Sequence, residues 1–169
     1  MEYQNADGKA VFYLGLCELI EMRLSASADY NYAVEALNGC WNWVEGKNVP
    51  AKVLLDLFHD DDDYGVEASM GVEQEKSLWD TWACIAVGVV LTSVAAYKRE
   101  GVSYLPANLE AADSPQTHDQ FRGCFFSLIP VPSLIEHYQM LLDALPFNQV
   151  TRSRVRDCAF LALHQATVA

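Results

Sequence analysis

Residues 73–101 read EQEKSLWDTWACIAVGVVLTSVAAYKREG and contain the longest uncharged run of the chain, the 17 residues from Thr81 to Tyr97. The run is apolar on all sides rather than on one face, which is typical of a helix in the interior of a protein. Two cations close to its end suit the helix dipole, and Gly101 is a favourable terminating residue. The stretch therefore predicts a central apolar helix near residues 76–99.

A membrane span is the alternative for this run. A span needs about 20 predominantly apolar residues, and this run is interrupted by Thr81, Thr92 and Ser93, so a buried helix is preferred. At the start of the chain Glu2 and Asp7 stand where a signal peptide would carry positive charge. We therefore expect a cytoplasmic protein.

The segments on both sides of the central helix carry apolar residues at three- and four-residue steps. Further helices are predicted over residues 10–24, 30–45, 50–59, 115–128, 132–145 and 150–166. In the first of these, Glu18 and Glu21 are assigned to the polar face, and residues 66–75 are ambiguous. Short apolar runs do not separate helix from buried strand, so strands at residues 87–90 and 125–131 stay open. The expected fold is all-α, a single compact domain over residues 1–169 with six or seven helices.

The composition is strongly acidic. Eleven Lys and Arg against 23 Asp and Glu give a net charge of −12, with 51% hydrophobic residues. Such a charge repels nucleic acid and anionic membranes and attracts cationic surfaces. We expect no direct nucleic-acid or membrane partner, whereas a partner with a basic surface is compatible with the charge.

The five cysteines are dispersed through apolar stretches. No CxxC pair and no zinc-ligand spacing occurs. Reduced, buried thiols that act as small hydrophobic groups are therefore expected, which agrees with a cytoplasmic location. The positions are Cys17, Cys40, Cys84, Cys124 and Cys158.

The negative charge is concentrated in residues 56–80, which hold nine acids and one base, a net charge of −8 out of −12. A calcium loop that starts at Asp60 would place Gly65 correctly at its sixth position. Its fifth and twelfth positions, however, are Tyr64 and Gly71, where a calcium loop needs oxygen ligands. Two interpretations remain, a solvated connector and a docking surface for a cationic partner.

No catalytic or cofactor pattern is present. The histidines, His59, His118, His137 and His164, form no HExxH or relay spacing, and no phosphate-binding glycine loop occurs. We expect no enzyme activity, metal or cofactor. The basic cluster of Arg152, Arg154 and Arg156 is expected to pair with the excess of acids. Trp41 and Trp43 face opposite sides of their helix, so one of them is expected to be exposed.

Several phrases resemble a known family. They are, in order, Cys40-Trp41-Asn42-Trp43-Val44-Glu45-Gly46-Lys47, Leu54-Leu55-Asp56-Leu57, the acidic turn at residues 60–63, Trp82-Ala83-Cys84-Ile85, Ala95-Ala96-Tyr97-Lys98 and Tyr104-Leu105-Pro106. Together they resemble the all-α immunity family catalogued as number six in bacterial polymorphic-toxin systems. The resemblance covers about the first two-thirds of the chain, and the segment after Pro115 matches less clearly.

The resemblance implies a cytoplasmic immunity protein, or antitoxin, that binds and neutralises a cognate secreted toxin domain, often a nuclease, without catalysis. With the charge pattern, it makes the acidic segment the expected contact region. The expected partner-binding residues are Asp60, Asp61, Asp62, Asp63, Tyr64, Glu67, Glu73 and Glu75. The alternatives are a small acidic secretion chaperone or adaptor, and a helical enzyme built on scattered acids.

Overall fold

Eight α-helices make up most of the chain in the computed structural model, which describes residues 5–59, 62 and 64–168. They are α1 (Ala6–Cys17), α2 (Tyr30–Gly46), α3 (Ala51–Phe58), α4 (Val66–Val72), α5 (Lys76–Arg99), α6 (Pro115–Leu128), α7 (Leu134–Asp143) and α8 (Arg152–Val168). Three 3-10 turns lie at Glu21–Leu24, Ala107–Leu109 and Phe147–Gln149. No strand occurs in these described residues, which confirms the all-α prediction.

Helix α5 is the centre of the fold, as predicted. It packs against α1, α2, α3, α4 and α6, and every residue from Asp80 to Ala96 is buried. By length and hydropathy α5 is able to cross a membrane, but 89% of its most apolar window is buried inside the protein. Its all-round apolar surface is therefore accounted for by the five helices that surround it.

The first predicted helix differs in its bounds. Asn5 caps α1 by accepting a hydrogen bond from the Gly8 amide at 2.7 Å, so the helix starts before residue 10. After Cys17 the backbone tightens, with the Ile20 amide bonded to the Cys17 carbonyl at 3.0 Å. The continuous helix over residues 10–24 is wrong, because this tighter turn separates α1 from the 3-10 turn at Glu21–Leu24.

Two open assignments are resolved as helix. Of the ambiguous residues 66–75, Val66–Val72 form α4, and Glu73 after them is extended. The strand alternatives are wrong: residues 87–90 lie within α5, and 125–128 within α6. Burial on all sides of α5 explains why its sequence lacked a distinguishing period.

The expectation that one of the neighbouring tryptophans is exposed is wrong, since Trp41 and Trp43 are each only 2% exposed. Trp41 donates from its indole nitrogen to the Glu18 carboxylate at 2.7 Å. On the other side of α2, the Lys47 ammonium lies 3.6 Å from the Trp43 ring centroid. A long lysine side chain can cover an aromatic face in this way while its charge stays near solvent.

The thiols are as predicted, since all five cysteines are free and four of them, all except the half-buried Cys158, are buried. Burial raises the pKa of Cys40 to about 12 and the pKa of Cys124 to about 11. These thiols therefore stay protonated near neutral pH and pack as apolar groups.

Helices α7 and α8 pair with each other, and α8 also packs on α1. Arg152, at the start of α8, binds Glu18 at 2.9 Å and Glu21 at 3.7 Å. Intramolecular pairing with acids is thus confirmed for Arg152. Arg154 instead donates to Gln149, and Arg156 lies over the Phe160 ring.

Candidate partner-binding surface

The acidic segment, residues 60–75, links α3 to α5 and includes α4. Asp60, Asp61 and Asp63 lie outside the described residues. Asp62 is exposed in a turn, and Tyr64 is 58% exposed with its ring centroid 6.2 Å from that of Tyr32 on α2. The segment thus presents an aromatic group as well as charge at the surface.

The turn into α4 depends on a glycine. Gly65 has a φ of +102°, and a Cβ there would lie 3.0 Å from the Leu57 carbonyl oxygen and 3.1 Å from that of Phe58. The chain therefore passes directly against the C-terminal end of α3, in a conformation that L-residues with side chains rarely adopt. This close passage fixes where α4 begins relative to α3.

The remaining predicted contact residues lie at the two ends of α4. Glu67 is in its first turn and approaches His59 Nδ1 at 2.5 Å. Glu73 follows its last residue and accepts the amides of Gln74 and Glu75, each at 2.9 Å. Because Glu73 follows Glu67 by six residues and each helical residue rises about 1.5 Å, the two are separated by only about 9 Å along the axis of α4.

The third predicted acid of this region, Glu75, is exposed and accepts the Ser77 hydroxyl at 2.5 Å. Its bonded partner is neutral, as are those of Glu73, so neither bond compensates the negative charge. Within the described part, Asp62, Tyr64, Glu67 and Glu75 are exposed and Glu73 is half-buried.

Two other acids in residues 56–80 are engaged within the protein. Asp56 pairs with Lys52 one turn earlier on α3. The Asp80 side chain is only 1% exposed, and it accepts hydrogen bonds from Lys76 and from the Ser127 hydroxyl on α6, each at 2.5 Å. Asp80 therefore joins α5 to α6 and adds little to a surface field.

Elsewhere, His118 is the centre of a hydrogen-bonded chain. His118 Nδ1 lies 2.7 Å from the Tyr13 hydroxyl, and its Nε2 lies 2.9 Å from Asp113, which also binds Lys9 at 2.6 Å. Burial raises the pKa of Tyr13 to about 12, so its phenol stays protonated near neutral pH. The cluster holds the start of α6 against α1, which is a structural role.

A cleft of about 710 Å³ lies at the opposite end of α5 from Lys76. Its cations, Lys47 and Arg99, approach Asp7 at 3.5 Å and 3.6 Å, so their charge is already opposed by an acid of the same chain. No group of three or more potential metal ligands occurs among the described side chains.

Comparison with known proteins identifies one family. The family model described as Immunity protein Imm6 matches residues 8–128, which include α1 from its third residue onward, α2 to α6 and the whole acidic segment. Neither a curated protein nor a solved structure matches the chain.

Proposed function

The chain belongs to the Imm6 immunity protein family, and on that premise we propose that it neutralises a cognate secreted toxin domain in the cytoplasm by binding it. The docking surface is the acidic segment, residues 60–75, with Asp60 to Asp63, Tyr64, Glu67, Glu73 and Glu75 as contacts. Inhibition needs no catalytic step by this chain. The family assignment favours this role over a secretion chaperone or adaptor.

The observation that carries the proposal is the uncompensated charge of Glu73 and Glu75, which follow the last residue of α4. Folding alone does not require it, because like charges in one short region repel one another and destabilise the compact state. Asp56 and Asp80 have cationic partners in the fold, whereas the bonded partners of Glu73 and Glu75 are neutral groups. A cationic partner would provide the missing compensation.

A nuclease domain has the matching chemistry. It presents Lys and Arg in a groove that binds nucleic-acid phosphates, and a row of carboxylates can occupy the same groove in place of the phosphates. Complementary charge of this kind mainly raises the association rate and depends on ionic strength. We therefore infer that the toxin domain is a nuclease and that its contact face is basic.

The test is co-expression with the toxin domain encoded by the neighbouring gene, scored by growth. Asp60, Asp61, Asp62 and Asp63 are replaced together by Asn. The control neutralises four acids outside the segment, Glu35→Gln, Glu136→Gln, Asp143→Asn and Asp157→Asn, so that both variants have the same net charge.

We expect the segment variant to lose protection and to bind the purified toxin domain at least about tenfold more weakly at low ionic strength, while the control still protects. Circular dichroism verifies that both variants are folded. Full protection by the segment variant at equal expression contradicts the docking surface. Failure of the wild-type chain to protect contradicts the immunity role itself.

A further inference from the structure

An apolar groove of about 250 Å³ lies beside the acidic segment, between α4 and α6. Ala86, Val87 and Val90 of α5 form its floor, Phe58 and Met70 are on one side, and Gln120 of α6 is on the other. Among the residues that the structure describes, none that lines the groove is charged. The chain therefore leaves one strip of its central helix accessible from outside.

The strip is only slightly accessible. Ala86, Val87 and Val90 are 7–8% exposed, whereas Ile85 and Val89 on the same helix are fully buried. Val90 lies three residues after Val87 and four after Ala86, so it is a neighbour of both on one side of α5. They form a continuous apolar floor rather than isolated contacts.

The size of the groove indicates what it accepts. Small-molecule sites usually measure about 300–1,000 Å³, so a groove of about 250 Å³ suits one protruding side chain. An apolar side chain that fills a pocket at the centre of an interface commonly carries a large share of the binding energy. The lack of charged lining excludes a charged side chain from the floor itself.

Two exposed acids lie close to the lining residues of the groove. Glu67 is one helical turn from Met70 on α4, and Glu110 directly precedes the lining residue Ala111. None of the eleven Lys and Arg residues lines the groove. The surroundings of the opening thus favour a segment that carries positive charge.

We propose that this groove receives an apolar side chain from a Lys- or Arg-bearing segment of the toxin domain, and that the groove and the acidic segment form one continuous interface. Phe58 provides the continuity, since it lines the groove and ends α3 immediately before the acidic segment. The inference rests on the proposed function and extends it, because the groove supplies the apolar anchor and the segment supplies the charge.

The experiment measures the dissociation constant for the purified toxin domain of the neighbouring gene by calorimetry. Ala86→Leu fills the groove without adding charge, and Gln120→Arg places a cation at its exposed rim. The matched controls are Ala144→Leu and Gln165→Arg, which make the same changes at exposed positions at the end of α7 and on α8. Thermal melts and circular dichroism establish that each variant is folded.

We expect Ala86→Leu to weaken binding at least about tenfold and Gln120→Arg to weaken it about three- to tenfold, most strongly at low ionic strength. Both controls should bind as the wild type does. If Ala86→Leu does not fold, the affinities of Gln120→Arg and Gln165→Arg are compared instead. Both positions are exposed, so neither substitution is expected to disturb the fold.

Three outcomes overturn the inference. If the wild-type chain binds tightly and both folded variants, Ala86→Leu and Gln120→Arg, bind with the same affinity, the groove is not part of the interface. The proposed function then still stands. A wild-type dimer that Ala86→Leu converts to a monomer assigns the groove to a second copy of the chain. If the wild-type chain does not bind the toxin domain, both the proposed function and the role of the groove are contradicted.

Discussion

Glu18 is the buried acid that the helical pattern placed on the polar face of α1, and for this residue that assignment is wrong. Its side chain is 1% exposed and accepts hydrogen bonds from Trp41 at 2.7 Å and Arg152 at 2.9 Å. Burial raises the pKa of Glu18 above its ordinary value of 4.5, and the charge and hydrogen bonds of Arg152 and Trp41 offset this only in part. Ionised Glu18 is therefore less favourable in the fold than in the unfolded chain.

Glu18→Gln should reveal this penalty as a dependence on pH. A group whose pKa is raised on folding contributes stability that is present below its unfolded pKa and is lost as the pH rises through its folded pKa. Glutamine does not titrate, so the free energy of unfolding of the variant, relative to wild type, should increase as the pH rises above 4.5. Urea denaturation at several pH values measures the difference.

Glu136→Gln on α7 is the control, because it makes the same substitution at an exposed position. A difference for Glu18→Gln that is flat with pH, or that falls as the pH rises, contradicts the burial argument.

At the scale of elements, the α7–α8 pair docks on α1 at Gly15. A Cβ at this position would collide with the Tyr138 hydroxyl and would lie 2.6 Å from Val155 Cγ1. Tyr138 and Val155 are both fully buried, so neither has free space into which it can move. The close approach of three helices depends on the missing side chain.

Gly15→Ala should therefore lower the free energy of unfolding by about 1–3 kcal/mol, the usual cost of overpacking a core. Gly123→Ala on α6 is the matched control, because a Cβ there meets nothing within 4 Å. The control should raise stability by up to about 1 kcal/mol through helix propensity. Chemical denaturation measures the free energy of unfolding of both variants, which should change in opposite directions. If Gly15→Ala leaves that free energy unchanged or raises it, the close docking of the helices at Gly15 is contradicted.

At the scale of the whole molecule, the family match ends at residue 128, but the hydrophobic core does not. Leu134, Tyr138 and Leu142 of α7 and Val155 and Ala159 of α8 are fully buried and belong to the same cluster as the residues of α1 and α5. The C-terminal helices thus complete the core of the region that the family model matches.

A chain truncated after Val131 should lose its cooperative unfolding transition. Burial of each large apolar side chain contributes about 1.5–3 kcal/mol, and several such losses approach the whole stability of a domain, about 5–15 kcal/mol. Thermal melts followed by circular dichroism compare the truncated chain with the full chain. A cooperative transition of the truncated chain at the full-length midpoint shows that residues 132–169 are not part of the folding unit.

The hydrophobic pattern was sufficient to predict the helical class and the central place of α5. A long helix that is apolar on all sides must be surrounded by other helices to be shielded from water. It was insufficient for the bounds of α1, where the chain tightens after Cys17, and for Trp43, which Lys47 covers. The hydrophobic period identifies apolar positions, but it shows neither a tightened turn nor the cover that a neighbouring side chain, such as Lys47 on Trp43, provides. The groove beside α4 was likewise invisible, since periodicity identifies apolar positions but not which of them the neighbouring helices leave open.

The sequence by itself determined the all-α class, the central helix, the acidic character and the likeness to an immunity family, because composition and helical period are local properties. Only the tertiary structure decided which acids are available to a partner. Packing buried Glu18 and Asp80 and gave them partners in the fold, while Glu67 in the first turn of α4 and Glu75 just before α5 stayed exposed. The physical reason is that the exposure and pairing of a charge depend on residues distant in sequence, which only folding brings together.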